Sequence, residues 1–165
     1  MRRAEDFALD RPPLPALGEV LDFMRLIWGL DHALQTTSKR MAAELGVTGP
    51  QRLVIRIVGR FPGIPAGQLA ALLHVHPSTL TGIVKRLERQ GLLRRRADAR
   101  DGRRALLSLT EGGRAFDVEK PGTVEAGVAR VLAGTPPAKI QAARELLGEI
   151  AASMVSPGPS VGDSE

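Results

Sequence analysis

Between Pro77 and Arg104, small polar and cationic side chains recur at spacings suited to gripping a polyanion. On a helix beginning at Pro77, steps of about 100° place Leu80, Ile83, Val84 and Leu87 within one apolar arc. Ser78, Gly82, Lys85 and Arg89 fall opposite, flanked by Thr79, Thr81 and Arg86. Such a face can approach a duplex major groove closely. Hydroxyls and the helix N-terminus can bond phosphates, while Lys and Arg can reach guanine edges or phosphates. Gly82 adds no side chain to hold the backbone away. Further on, the stretch Asp98 to Arg104 carries Arg100, Arg103 and Arg104, with Gly102 as its turn residue. A long cation at such a hairpin tip can enter the narrow minor groove, where the potential is most negative. The interspersed Asp98 and Asp101 would weaken phosphate binding, so pairing of at least one with an Arg, stiffening the loop, is expected.

The charge is concentrated in this stretch. Residues 85–104 hold nine basic and three acidic residues, whereas the rest of the chain holds 14 basic and 15 acidic ones. The formal net charge of +5 is therefore a local property. A local basic patch is the electrostatic footprint of a nucleic-acid-binding face.

Composition narrows what else the chain can do. Hydrophobic residues make up 43% of its 165 residues, enough for a packed core, and aromatics only 3%, so that core is aliphatic. This suits packed helices better than a β-sandwich. Without cysteine there are no disulfides, thiolate metal sites, cysteine nucleophiles or thiol-based peroxide sensing. No apolar run approaches the ~20 residues needed to span a membrane, and residues 1–13 lack a signal-peptide core. A cytoplasmic protein is the expectation.

The positioning elements follow from periodicity. Leu17, Val20, Leu21, Met24, Ile27, Trp28, Leu34, Met41 and Leu45 recur at helical spacing up to Gly46. They predict one long helix, or two in line, too long and one-sided for a small domain to bury without a partner subunit. Thr48 to Gln51 has capping-box spacing with Pro50 in the first turn, opening a helix that carries Leu53, Val54, Ile57, Val58 and Phe61. A short helix at about Ala66–Leu73 and a turn at Leu73–His76 lead to Pro77, a favourable first helical residue, and Gly91 closes that helix. Two helices joined by a tight turn, the second basic, form a helix-turn-helix pattern. Leu92–Arg96 and Ala105–Leu109 read as the strands of a β-hairpin. Thr110 caps a helical stretch to Ala133 that breaks at Pro121-Gly122, and Thr135-Pro136-Pro137 starts a last helix with Ile140, Ala143, Leu147, Ile150 and Met154 on one stripe. Residues 1–13 read as a flexible arm and 156–165 as a disordered tail.

The run HPSTLTGIVKRLERQGLLRRRADARDGRRALLSLTEGGR, His76 to Arg114, resembles the core of the multiple antibiotic resistance regulator (MarR) family. With the flanking helices the resemblance spans about Leu17 to Val155. It implies a mainly α fold with a small β-hairpin wing. A winged helix-turn-helix (about 48–110) would join a dimerisation region made of residues 17–45 and 111–155, the whole forming one domain over 14–155. It implies a homodimer on an inverted-repeat operator in double-stranded DNA, with the recognition helix in the major groove and a wing arginine in the minor groove. By position Arg103 matches the wing-tip arginine and Asp101 the acidic residue that stabilises the wing. Ser78, Thr79, Thr81, Lys85 and Arg89 match the recognition face. Members commonly repress a neighbouring gene and release DNA on binding a small, often aromatic anion. The Pro121-Gly122 break departs from the family's usual continuous fifth helix.

An effector pocket would lie between the dimerisation helices and the winged domain. Its candidate walls are Trp28, Asp31, His32, Gln35 and Phe61; Thr81 and Arg95 match positions lining an anion site in some relatives. Each also has a simpler reading: Trp28 as dimer core, His32 as a surface residue, Arg95 as a phosphate contact. His74 and His76 alone make a poor metal site, and His76 suits the N-cap of the recognition helix better; no metal or cofactor is expected. No nucleophile–base–acid set and no phosphate-binding glycine loop is present, which argues against an enzyme. A ligand-independent DNA-binding module, or a winged helix serving only protein interaction, is the competing reading. The second has no use for the local charge.

Overall fold

The computed structural model describes residues 17–102 and 104–155. The arm expected at 1–13, the tail from 156 and Arg103 lie outside the described residues. The chain runs α1 (Glu19–Leu45), α2 (Gly49–Arg60), β1 (Ile64–Pro65), α3 (Ala66–Leu72), α4 (Pro77–Arg89), β2 (Leu93–Ala97), β3 (Ala105–Leu109), α5 (Glu111–Phe116), α6 (Val124–Leu132) and α7 (Pro137–Val155).

The local stops and starts are those the residue types dictate. α1 is one continuous helix, and Gly46 ends it in the left-handed region with its N–H on Ala42 C=O. At α2 the capping box is complete: Thr48 Oγ1 accepts from Gln51 N–H, and Gln51 Oε1 accepts from Thr48 N–H at 2.8 Å. His76 caps α4, its Nδ1 accepting from Ser78 N–H at 3.3 Å, with Pro77 in the first helical position.

A compact core unites α2, α3, α4 and the sheet. Val54, Ile55, Val58, Leu69, Leu80, Val84, Leu87, Leu93 and Leu107 are all buried there. The buried face of α2 differs from the expected one. Val54, Ile55 and Val58 point inward, together with Gln51 and Arg52, while Leu53 and Phe61 are half exposed. Polar residues share the buried stripe, so hydrophobicity alone points to a rotated face.

The sheet has three antiparallel strands in the order β1-β3-β2 rather than a bare hairpin. Leu93 pairs with Leu109, Arg95 with Leu107 and Ala97 with Ala105, and β1 adds Ile64 opposite Leu107. β1 is two residues long and includes a proline, too short for alternation to reveal.

After β3 the chain is stitched back onto the exit of α4. Thr110 N–H bonds Leu92 C=O, Thr110 Oγ1 donates to Gly91 C=O and accepts from Gly113 N–H. A Cβ on Gly113 would lie 1.9 Å from Leu92 O, so this position tolerates only glycine. The helical stretch then breaks earlier than Pro121-Gly122 predicts. α5 ends at Phe116, where the Arg52 guanidinium takes the Phe116 and Val118 carbonyls that helical N–H groups would otherwise use.

α1, α6 and α7 stand partly off this core. Met41 is the one buried residue of α1. Val20, Leu21, Trp28, Leu34, Val128, Val131, Leu147 and Met154 are exposed in the single chain, Trp28 to 65% and Val131 to 67%. Among the described residues, no helix is long and apolar enough to cross a membrane.

Candidate nucleic-acid interface

α4 is anchored by Leu80, Val84 and Leu87, all at most 2% exposed. Its opposite face is solvent-facing: Ser78, Thr79, Thr81, Gly82, Lys85, Arg86 and Arg89 are all exposed. A Cβ at Gly82 would meet nothing within 4 Å, so a ligand surface has open access to the backbone there. Thr81 Oγ1 bonds back to Pro77 C=O at 2.8 Å, and Arg89 Nε reaches Lys85 C=O at 3.4 Å. The α3–α4 turn forces His74 to φ +52°, an unusual conformation for a residue other than glycine.

In the wing, strand alternation turns Arg95 toward the core side and Arg94 and Arg96 to the outer side. Arg95 reaches Glu88 on α4 through two hydrogen bonds, of 2.5 and 3.3 Å. The Glu88 hydrogen bond raises the Arg95 guanidinium above its ordinary pKa, partial burial opposes this, and the Glu88 charge adds to the rise. The pair ties the wing to the C-terminal half of α4. Arg94 and Arg96 line a shallow hollow of about 180 Å³ with Pro62, Gly63, Leu106 and Ser108.

The wing loop is closed by backbone geometry. Asp98 N–H bonds Arg104 C=O and Arg104 N–H bonds Asp101 C=O, both at 2.9 Å. The carboxylate of Asp98 accepts from the backbone N–H of Arg100 at 2.9 Å, so it stiffens the turn by binding backbone. Arg100 and Arg104 are exposed at the tip.

Against this geometry, the comparisons with known proteins converge. A model of the MarR family matches residues 45–104. An HTH-type transcriptional repressor of Mycobacterium bovis is 30% identical over 108 residues, covering 66% of this chain and 78% of the relative. The chain belongs to the MarR family. It is a DNA-binding transcriptional regulator. Two solved structures share its fold. The MepR–DNA complex of S. aureus has a TM-score of 0.66 at 17% identity, covering 80% of this chain and 97% of that one. PcaV of Streptomyces coelicolor in complex with its natural ligand has a TM-score of 0.67 at 24% identity, covering 87% and 99%.

Four of the six candidate pocket residues of this MarR-family chain share one face of α1, and the other two lie on α2's end and on β2. Trp28 and His32 are exposed on α1, and Gln35 Nε2 donates to Asp31 Oδ2 at 2.7 Å on the same helix. Phe61 lies half exposed at the end of α2, and Arg95 is engaged with Glu88. Neither the Arg94–Arg96 hollow nor a second one of about 270 Å³, lined by Gln51, Arg86, Arg89 and Gln90, includes any of the first five or Arg95.

Sequence reasoning did not single out Glu88, which holds Arg95, or Arg52, which is 1% exposed inside the protein. Glu88 could have been found from the strand register, which faces Arg95 toward the helix before it. Arg52 carries no such signal, because its partners lie 64 to 73 residues further along the chain.

Proposed function

We propose that the protein is a homodimeric, sequence-specific repressor that binds an inverted-repeat operator and is released by a small anionic ligand. The observation that carries this reading is a rigidly mounted helix with an uninterrupted polar and cationic face, tied by Arg95–Glu88 to an arginine-tipped wing. In this reading Ser78, Thr79 and Thr81 bond phosphates at the start of α4, and Lys85, Arg86 and Arg89 reach phosphates or base edges. Arg100, Arg103 and Arg104 address the minor groove, with Asp101 holding the wing.

The exposed apolar residues of α1, α6 and α7 support a dimer, since so many large apolar side chains exposed on three helices call for a covering surface. The Mycobacterium bovis relative is named a repressor, and the MepR structure contains DNA. For the ligand, the support is the PcaV complex. A cavity bounded by Trp28, Asp31, His32, Gln35, Phe61 and Arg95 would need the second protomer to close it. Regulation through binding, with no chemical step, fits the absence of a nucleophile–base–acid set in the sequence.

The test is operator binding by three variants. Arg103→Ala should weaken binding with little change in sequence preference. Lys85→Ala and Arg89→Ala should weaken it by ~1–3 kcal/mol if they read bases, relaxing preference at particular positions. Unchanged affinity in all three would show that the reading face has been placed wrongly.

A further inference from the structure

Among the described residues, the buried polar or charged side chains are Gln51 and Arg52 in the opening turn of α2 and Thr123 at the N-cap of α6. Gln51 and Arg52 are neighbours at the start of α2, yet they reach in different directions. Gln51 Nε2 donates to Gln90 Oε1 at 3.4 Å, and Gln90 Nε2 donates to Gly46 C=O at 2.9 Å. The capping box of α2, the end of α4 and the end of α1 thus share one chain of amides.

Arg52 faces the other way. Its Nη1 and Nη2 donate to the Phe116 and Val118 carbonyls at 2.9 and 2.6 Å, and its Nε to Glu125 of α6 at 2.5 Å. One turn on, Arg56 pairs with Asp117 at 2.7 Å. A Cβ on Gly59 would sit 1.9 Å from Asp117 Oδ2, so glycine makes room for that carboxylate. α1 joins in through Ser38 Oγ, which accepts from Gly49 N–H at 2.9 Å, and Arg40, which donates to Gly122 C=O at 3.1 Å. Thr123 then caps α6 by accepting from Ala126 N–H.

Burying an arginine is costly, and well-packed apolar residues of similar volume are often as stabilising. What fixed hydrogen bonds supply is direction: apolar contacts can slide, whereas a guanidinium engaged on three partners has one orientation. No buried side-chain polar atom among the described residues lacks a partner. We infer that Gln51 and Arg52 form a polar joint that transmits the orientation of α1 and α6 to the recognition helix α4, making both positioning residues for operator binding. This deepens the functional reading above and rests on its dimer. The joint sets the separation of the two α4 helices, and thereby the half-site spacing the dimer accepts.

Because the chain has no cysteine, a single Ala71→Cys substitution at an exposed site on α3 gives one spin label per protomer. The inter-label distance distribution is then measured in the full-length dimer alone and with Gln90→Ala or Glu125→Gln added. Arg52→Met serves as a third variant, with circular dichroism to confirm folding. Unlabelled proteins of the same series are titrated with an inverted repeat, with a single half-site and with repeats whose spacing is altered by one base pair. The joint predicts a broadened distance distribution, full-operator affinity lower by about 5- to 20-fold, half-site affinity nearly unchanged and a flattened spacing preference. An unchanged distance distribution in Gln90→Ala and Glu125→Gln would overturn it. So would equal losses on half-site and full operator, which indicate a general folding role. If the distances broaden but the parent protein binds no inverted repeat, the joint stands and the operator reading falls.

Discussion

In the proposed function single side chains on the solvent face of α4 and at the wing tip carry the chemistry, and that proposal was legible because such a task shows in residue type. Hydroxyls, lysine and arginine at helical spacing opposite Leu80, Val84 and Leu87 have few other uses. Arg52 was illegible for the complementary reason: it is a cation on the buried face of a helix, where only distant partners explain it. Asp98 stiffens the wing through the backbone, its carboxylate accepting from the N–H of Arg100. Two outcomes belong to this scale. Asp98→Ala should loosen the wing and weaken operator binding by ~1 kcal/mol, while Asp98→Asn, which keeps an acceptor, should recover most of that loss in an anisotropy titration. Arg95→Ala should weaken operator binding as well, but Glu88→Gln should share that loss if Arg95 acts chiefly by tethering the wing.

Most of the elements could be placed from punctuation alone. Gly46, the Thr48–Gln51 box, Pro77, Gly91 and Thr110 each sit where their backbone chemistry requires, Pro77 as a first helical residue and the others as caps or stops. β1 escaped because its two residues gain strand character only by pairing with β3. The end of α5 escaped because Arg52 takes its C-terminal carbonyl, a tertiary contact that overrides local propensity. Replacing the cap by His76→Ala should lower stability by ~0.5–2 kcal/mol, and His76→Ser should retain it, as read by urea denaturation. His74→Gly should raise stability by up to ~1 kcal/mol, since His74 holds a left-handed conformation without burying its side chain. Gly113→Ala forces a Cβ against Leu92 O and should cost ~1–3 kcal/mol or more, with the wing and α4 losing amide protection together.

At the scale of the whole molecule, two regions of different character share one chain. The winged core buries its central apolar residues internally, with Leu53, Phe61 and Leu72 left half exposed at its surface. α1, α6 and α7 leave theirs exposed, which a second copy of the chain would cover. Leu147→Glu on α7 should therefore shift the protein from dimer toward monomer in sedimentation velocity, and weaken operator binding in parallel, without unfolding the winged core. The sequence disclosed this division through the length and one-sidedness of α1. It could not disclose how the two regions are fastened, because that fastening is made of buried polar contacts between segments far apart in the chain.

The central claim is that the local excess of positive charge grips a DNA duplex and that α4 selects the sequence. Its most direct measurement is a fluorescence-anisotropy titration of an inverted repeat from the DNA adjoining the protein's own gene, alongside a shuffled duplex, repeated across a range of salt. Tight binding to the repeat, much weaker binding to the shuffled duplex, and affinity falling linearly on logarithmic axes by about 0.9 per phosphate contact are expected. Equal affinity for both duplexes, or binding indifferent to salt, would contradict the claim.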